Sequence, residues 1–184
     1  MHLVWPSLSE LPGYVAPLER GWSPNSERGL AAARDELALI EASPTRFLES
    51  LVDLRGTGDL ELLDGSRVPK LPGLRRWMWD GTFCGSIGLR WQEGTATLPA
   101  YCLGHVGYSV VPWRQRQGHA TCALAMLLPE AREHGLPYLE ITADADNVAS
   151  HKVILANGGV LLGESDKPAA YGGGRLRRFR IGLA

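Results

Sequence analysis

Between Gly104 and Gly159 the hydrophobic period of this chain switches from two to the helical value, back to two, and to helical again. Val106, Tyr108 and Val110 alternate as one face of a strand within Gly104 to Val111, and Pro112 stops it because proline has no N–H to give a ladder. Gly118 to His134 carries a helical pattern closed by Gly135. Pro129 inside it removes one helical hydrogen bond and predicts a kink or a tighter last turn. Tyr138 to Ala143 reads as a buried strand. Asn147 to Asn157 reads as a second helix, opened by Asp146 or Asn147 and stopped by Gly158-Gly159. Such a succession leaves few solutions beyond a crossover unit on a sheet, so the chain is expected to be mixed α/β.

The flanking segments add antiparallel pieces. Asp80-Gly81 joins two β-rich runs, Arg75 to Trp79 and Thr82 to Trp91, as a hairpin turn. Ala96 to Tyr101 is expected to be a further strand or a ragged hairpin partner. Two strands close the chain, about Val160 to Glu164 and Arg175 to Gly182. On the N-terminal side, Leu30, Ala33, Leu37 and Ile40 mark an amphipathic helix. Ser43-Pro44 then caps a second, short one that buries Phe47, Leu48, Leu51 and Val52. Residues 1–25, rich in Pro, Ser and Gly, read as an irregular arm, and 56–74 as a loop that is either functional or a mobile connector.

Composition narrows the class. The 184 residues fit one domain spanning 1–184, with 45% hydrophobic and 21% charged residues and a formal net charge of -1. That balance gives no basic excess for nucleic acid. Arg175, Arg177, Arg178 and Arg180 read as a polar strand face plus one edge. Three cysteines without a CxxC pair argue against a disulfide framework or a zinc site. No secretory signal or membrane-spanning run is evident, so a cytoplasmic protein without membrane or metal partners is expected.

The chemistry is carried by Val110 to Thr121, where a strand ends, a basic loop turns and a helix opens at a glycine. The first turn of a helix presents free N–H groups and a partial positive charge. Gly118 and the small Ala120 leave room for a pyrophosphate to reach them, and Arg114 and Arg116 add charge nearby. An ordinary strand–loop–helix junction has the same look. A Walker-type loop is disfavoured because no Lys-Ser or Lys-Thr follows, and a dinucleotide fingerprint because two of its three glycines are missing.

Gln115 to Ala120 fits the pattern Gln/Arg-x-x-Gly-x-Gly/Ala, and Asp146-Asn147-Val148-Ala149-Ser150 opens a helix that ends in Asn157-Gly158-Gly159. In this arrangement the chain resembles the GNAT superfamily of N-acetyltransferases over residues 104–159, which would then be an acetyl-CoA-binding core. The resemblance implies a central mixed sheet of six to seven strands with about four helices, its fourth and fifth strands splayed around a pantetheine arm. It implies that Ser109, Val110 and Val111 pair with that arm through their backbone. Arg116, Gln117, Gly118, His119, Ala120 and Thr121 would hold the pyrophosphate, and Asn147 and Ser150 would face the coenzyme. Lys152 is a phosphate ligand or simply an exposed helix lysine.

The implied reaction is direct acetyl transfer from acetyl-CoA to a primary amine of a small molecule or peptide, by a monomer or homodimer. The strand that in some relatives carries a glutamate base has no carboxylate here, which leaves His105 or Glu140 as base candidates. Many relatives place a proton-donating tyrosine where this chain has Ile154; Tyr171 is the substitute candidate. Trp77, Trp79 and Trp91 either line the acceptor site or belong to the core. Two other readings stand beside this one: a CoA-binding sensor without catalysis, and an unrelated nucleotide-binding module.

Overall fold

The computed structural model describes residues 1–183. Its strands form two sheets that abut at one point. β1 (His2–Val4), β2 (Val52–Asp53), β5 (Gly73–Trp79), β6 (Phe83–Arg90) and β7 (Val106–Val110) make the first, all antiparallel, in the order β1-β5-β6-β7 with β2 also on β5. β8 (Tyr138–Asp144), β10 (Arg175–Gly182) and β9 (Val160–Asp166) make the second, with β10 in the middle. β3 (Asp59–Glu61) and β4 (Arg67–Pro69) form a separate hairpin. The helices are α1 (Leu11–Glu19), α2 (Leu30–Ala42), α3 (Pro44–Ser50), α4 (His119–Glu133) and α5 (Val148–Ala156). The expected mixed α/β class holds.

The sheets touch where β7 begins. The His105 N–H donates to the Glu140 carbonyl at 2.8 Å, and the Glu140 N–H donates to His105 Nδ1 at 2.9 Å. Gly104 permits this approach, since a Cβ there would stand 3.1 Å from the Glu140 carbonyl oxygen. Beyond this point no ladder joins β7 to β8, and the two strands part into a gap.

Strand alternation gives the first sheet two different faces. Met78, Ile87, Leu89 and Val106 pack under α4 and α5 with Leu124, Leu127, Ile141, Ile154 and Phe179. On the opposite face Trp77 meets Tyr14, Trp22, Phe47 and Phe83, with Tyr14 stacked on Trp77 at 4.7 Å. Residues 1–25 are therefore not an irregular arm. Leu11, Tyr14 and Leu18 form the buried stripe of α1, and Trp22 continues the same core, while β1 pairs with β5. Pro12 falls in the first turn of α1, where a helix tolerates it, whereas Pro17 lies inside the helix, and burying these side chains outweighs poor local propensity.

Two further expectations change. Ala96 to Tyr101 forms no strand; the segment after β6 is a loop with a single bridge, Gln92 to Thr95. The 56–74 loop contains the β3–β4 hairpin. The cap at Ser43 and the turn at Asp80-Gly81 form as expected. The C-terminal arginines pair with acids of neighbouring strands: Arg177 with Glu164 and Arg180 with Glu140, both at 2.6 Å.

Candidate active site

The loop between β7 and α4 is shaped for an anion. Arg116 has φ +62°, uncommon for a residue with a Cβ, and Gly118 has φ +81°. Gly118 caps α4 with no side-chain bond to the helix, and the first intrahelical bond runs from Cys122 to Gly118. The N–H groups of His119, Ala120 and Thr121 are left without helical partners at the positive end of the α4 dipole. Successive N–H groups held by left-handed residues are a general anion-binding device. Arg116, Gln117 and Gly118 are exposed, and Ala120 and Thr121 half-buried. The His119 ring is buried, so this residue can offer a ligand only its backbone.

The end of α5 holds that turn in place. Asn157 donates its amide to the Thr121 carbonyl at 3.2 Å and to the Val153 carbonyl at 2.9 Å. Gly159 follows because a Cβ there would sit 2.4 Å from Ile154 Cγ2. The Asn-Gly-Gly ending thus ties α5 to the first turn of α4.

The three residues expected to offer backbone at β7 separate. Val111 N–H bonds to the Cys84 carbonyl at 3.0 Å, and the antiparallel alternation then turns the backbone of Ser109 toward β6 as well. Ser109 Oγ accepts from Trp22 Nε1 at 3.0 Å and donates to the Ser23 carbonyl. Of the three, Val110 is the one whose peptide groups face the gap; Gln115 donates to its carbonyl at 3.3 Å. Across the gap, Asn147 caps α5 by accepting the Ser150 N–H at 3.1 Å, which leaves its amide nitrogen free. The Tyr108 hydroxyl donates to the Ser150 carbonyl at 3.4 Å, and burial raises its pKa.

The gap opens into a cavity of about 450 Å³ on the face of the first sheet away from α4. Its floor is low because β6 and β7 present Ser86, Gly88 and Gly107 there. The 56–74 segment walls it through Leu60, Leu62, Val68 and Lys70, and Tyr108, Thr142, Asn147 and Ser150 border it at the gap. The wall is pinned by Asp53, which accepts the Thr57 N–H at 2.8 Å and pairs with Lys70 at 3.0 Å. These bonds, the Thr57 N–H foremost, lower its pKa to about 2.

Glu27 stands out among the cavity carboxylates. Asp53 is spent on the wall, and Asp144 pairs with Lys167 at 3.0 Å. Glu27 reaches Lys167 only at 3.7 Å. Burial pushes its carboxyl above the ordinary value despite the opposing charges of Lys167 and Arg90. Its position follows from local chemistry: Asn25 Oδ1 accepts the N–H groups of Glu27 and Arg28 at 3.0 Å, forming a turn. The Ser109 bonds to Trp22 and Ser23 fasten the chain just before that turn to β7.

The expected bases lie elsewhere. His105 is 1% exposed, its Nδ1 committed to the Glu140 N–H, and burial lowers its pKa. It does not border the cavity, so it serves as the clasp between the sheets. Glu140 does not border it either and is held by Arg180 at 2.6 Å. Tyr171 does line the cavity, its hydroxyl donating to the Tyr101 carbonyl, but the tyrosine that lies on β7 beside the gap is Tyr108. Trp77 is wholly buried in the aromatic core, Trp91 stacks on His134, and Trp79 packs on Gly13; none borders the cavity. The sequence reading missed Glu27, Arg90 and Lys167. The Asn25-Ser26-Glu27 turn was the available signal for the first.

Comparison with known proteins places this geometry in a family. Residues 67–160 match the model of the acetyltransferase (GNAT) domain, and the chain belongs to that family. No curated protein sequence matches it. Among solved structures, the microcin C7 self-immunity acetyltransferase MccE, determined with acetyl-CoA and AMP, is similar over 98% of this chain and 91% of its own, at 15% identity and a TM-score of 0.65. RimJ of Mycobacterium smegmatis, in complex with CoA-disulfide, is similar over 98% and 80%, at 17% identity and a TM-score of 0.59. A ribosomal-protein-alanine N-acetyltransferase from Brucella melitensis is similar over 99% of each chain, at 14% identity and 0.59. At such identities the likeness is one of fold.

Proposed function

We propose that residues 1–184 act as one acetyl-CoA-dependent N-acetyltransferase domain, working on a primary amine admitted to the cavity behind β7. One observation carries this reading: the anion-binding turn at Gly118 and the cavity holding Glu27 lead to the same β7–β8 gap, bordered by Tyr108, Asn147 and Ser150. The left-handed turn and the unpaired first-turn N–H groups of α4 suit a diphosphate. MccE and RimJ are described with acetyl-CoA and CoA-disulfide respectively, which supports the same ligand here.

Acetyl-CoA, when bound, supplies an activated thioester. The Arg116–Thr121 backbone holds the diphosphate, Val110 offers its backbone in the gap, and the free amide of Asn147 faces the arm. The incoming amine must be neutral, and at pH 7 removing a proton from a lysine-like ammonium costs about 4–5 kcal/mol. Glu27 takes that proton, its raised pKa bringing it closer to neutrality as a base should be. The amine nitrogen bonds to the carbonyl carbon and the carbon–sulfur bond breaks. The Val110 N–H is assigned to the charge developing on the carbonyl oxygen, a role worth about 3–4 kcal/mol where measured. Tyr108, kept protonated by burial, gives its proton to the departing thiolate and recovers one from the former ammonium. It replaces the helix tyrosine whose position is filled by fully buried Ile154.

The three cysteines are unpaired, and among the described residues no helix is long and apolar enough to cross a membrane; both suit work in the cytoplasm. A thermal-shift series with acetyl-CoA, CoA and ATP, followed by thiol release with an amine panel, tests the proposal. Stabilisation by both coenzyme forms but not ATP, with thiol release that depends on amine, is the expected result. Coenzyme binding without release for any amine would instead favour a sensor, the reading that Ile154 keeps in play.

A further inference from the structure

The cavity is lined by four cations, Lys70, Arg75, Arg90 and Lys167. Three of them are neutralised. Lys70 pairs with Asp53 at 3.0 Å, Arg75 with Glu36 at 2.8 Å, and Lys167 with Asp144 at 3.0 Å and Glu27 at 3.7 Å. Among the described residues Arg90 has no carboxylate within ion-pair distance. Its Nε donates to the Gly104 carbonyl at 2.6 Å, which fixes the plane of the guanidinium and leaves both Nη groups unspent. One of them lies 3.5 Å from where a Gly107 Cβ would be, an ordinary contact distance that places the head over the sheet at Gly107.

This charge is not placed for the coenzyme diphosphate. Arg90 is at the far end of β6 from Gly85, the partner of Val110, and five residues of strand span about 17 Å. It is on the acceptor side, and its field reaches Glu27. A fixed fork with free N–H groups suits a planar or tetrahedral oxyanion.

We infer that the amine acceptor also carries an oxyanion, a carboxylate or a phosphate, which Arg90 holds while Glu27 receives the proton of the amine. This rests on the acceptor reading of the cavity and narrows it to small zwitterionic amines over neutral amines and uncharged peptide ends.

Calorimetry on the whole protein, with and without saturating CoA, tests it using an α-amino acid panel, O-phosphoethanolamine, and their neutral counterparts, simple alkylamines and ethanolamine. The anionic members are expected to bind about ten- to a hundredfold more tightly. Arg90→Gln should abolish that preference, Arg90→Lys restore part of it, and neither alter CoA affinity. Where thiol release is seen, the loss falls on KM more than on kcat. The carboxylate and phosphate arms tell the two oxyanions apart. Equal binding of neutral and anionic amines, no heat from any oxyanion-bearing amine under either condition, or a preference that survives in folded Arg90→Gln overturns the inference. An absence of heat with CoA alone, while the anionic amines still bind through Arg90, would count against the transferase reading and keep only the oxyanion-binding role of Arg90.

Discussion

The two ends of the β7–β8 gap are made of different material. At Gly118 the site is backbone: N–H groups left over by a helix start, aimed by two left-handed residues and steadied by Asn157. Behind β7 it is side chains: Glu27, Arg90 and Lys167, brought from distant parts of the chain over a floor of small residues. A backbone site tolerates changes of side chain as long as the turn survives, whereas a side-chain site can lose its chemistry through a single substitution.

The largest expected effect is therefore on the cavity side. Glu27→Gln should lower kcat by about 10²- to 10⁴-fold and leave CoA affinity unchanged. The sign of the pH dependence follows from the raised pKa. The base form exists only above it, so wild-type kcat/KM rises as Glu27 loses its proton, at a pH above the ordinary glutamate value, and the variant lacks that limb. A pH–rate profile of both proteins is the check.

On the other side, Gly118→Val forces a β-branched residue into a left-handed conformation that only the loop can relieve. No protein atom lies within 4 Å of the new Cβ, so the cost is backbone strain and crowding of the diphosphate rather than a core clash. CoA affinity should fall by about tenfold or more in calorimetry while the fold is retained. By contrast Arg116→Gly, which keeps the turn and deletes the charge, should cost under about fivefold, the scale of an exposed ion contact. A large loss there would move the site from backbone to side chain and break the contrast.

The same contrast explains what could be read from the sequence. The Gln115–Ala120 turn and the Asn157-Gly158-Gly159 ending are contiguous, and each is dictated by local geometry, so the pattern alone located them. The helix stripe of Leu11, Tyr14 and Leu18 was obscured by Pro12, Gly13 and Pro17, and with it the turn that presents Glu27. His105 and Glu140 had suitable chemistry in sequence, but the sheet junction uses one as a clasp and Arg180 occupies the other. Which carboxylate is free depends on which cations lie beside it, a property of the assembled cavity.

A further effect concerns the stability of the cavity wall. Asp53→Asn should destabilise the protein by about 1–2 kcal/mol at neutral pH, since the depressed pKa of Asp53 marks stabilisation by its charged form. That contribution is complete above the ordinary carboxylate pKa and is lost as pH falls toward about 2, so the gap between wild type and variant in denaturant melts closes in acid.

The division of labour itself is tested most directly by following backbone amide resonances during titration with CoA. Shifts concentrated at Gln117 to Thr121 and at Val110, with Glu27 and Arg90 little changed, are the predicted result. Saturable binding that leaves the Gln117–Thr121 amides unmoved and instead perturbs the surroundings of Arg90 and Lys167 would contradict the account.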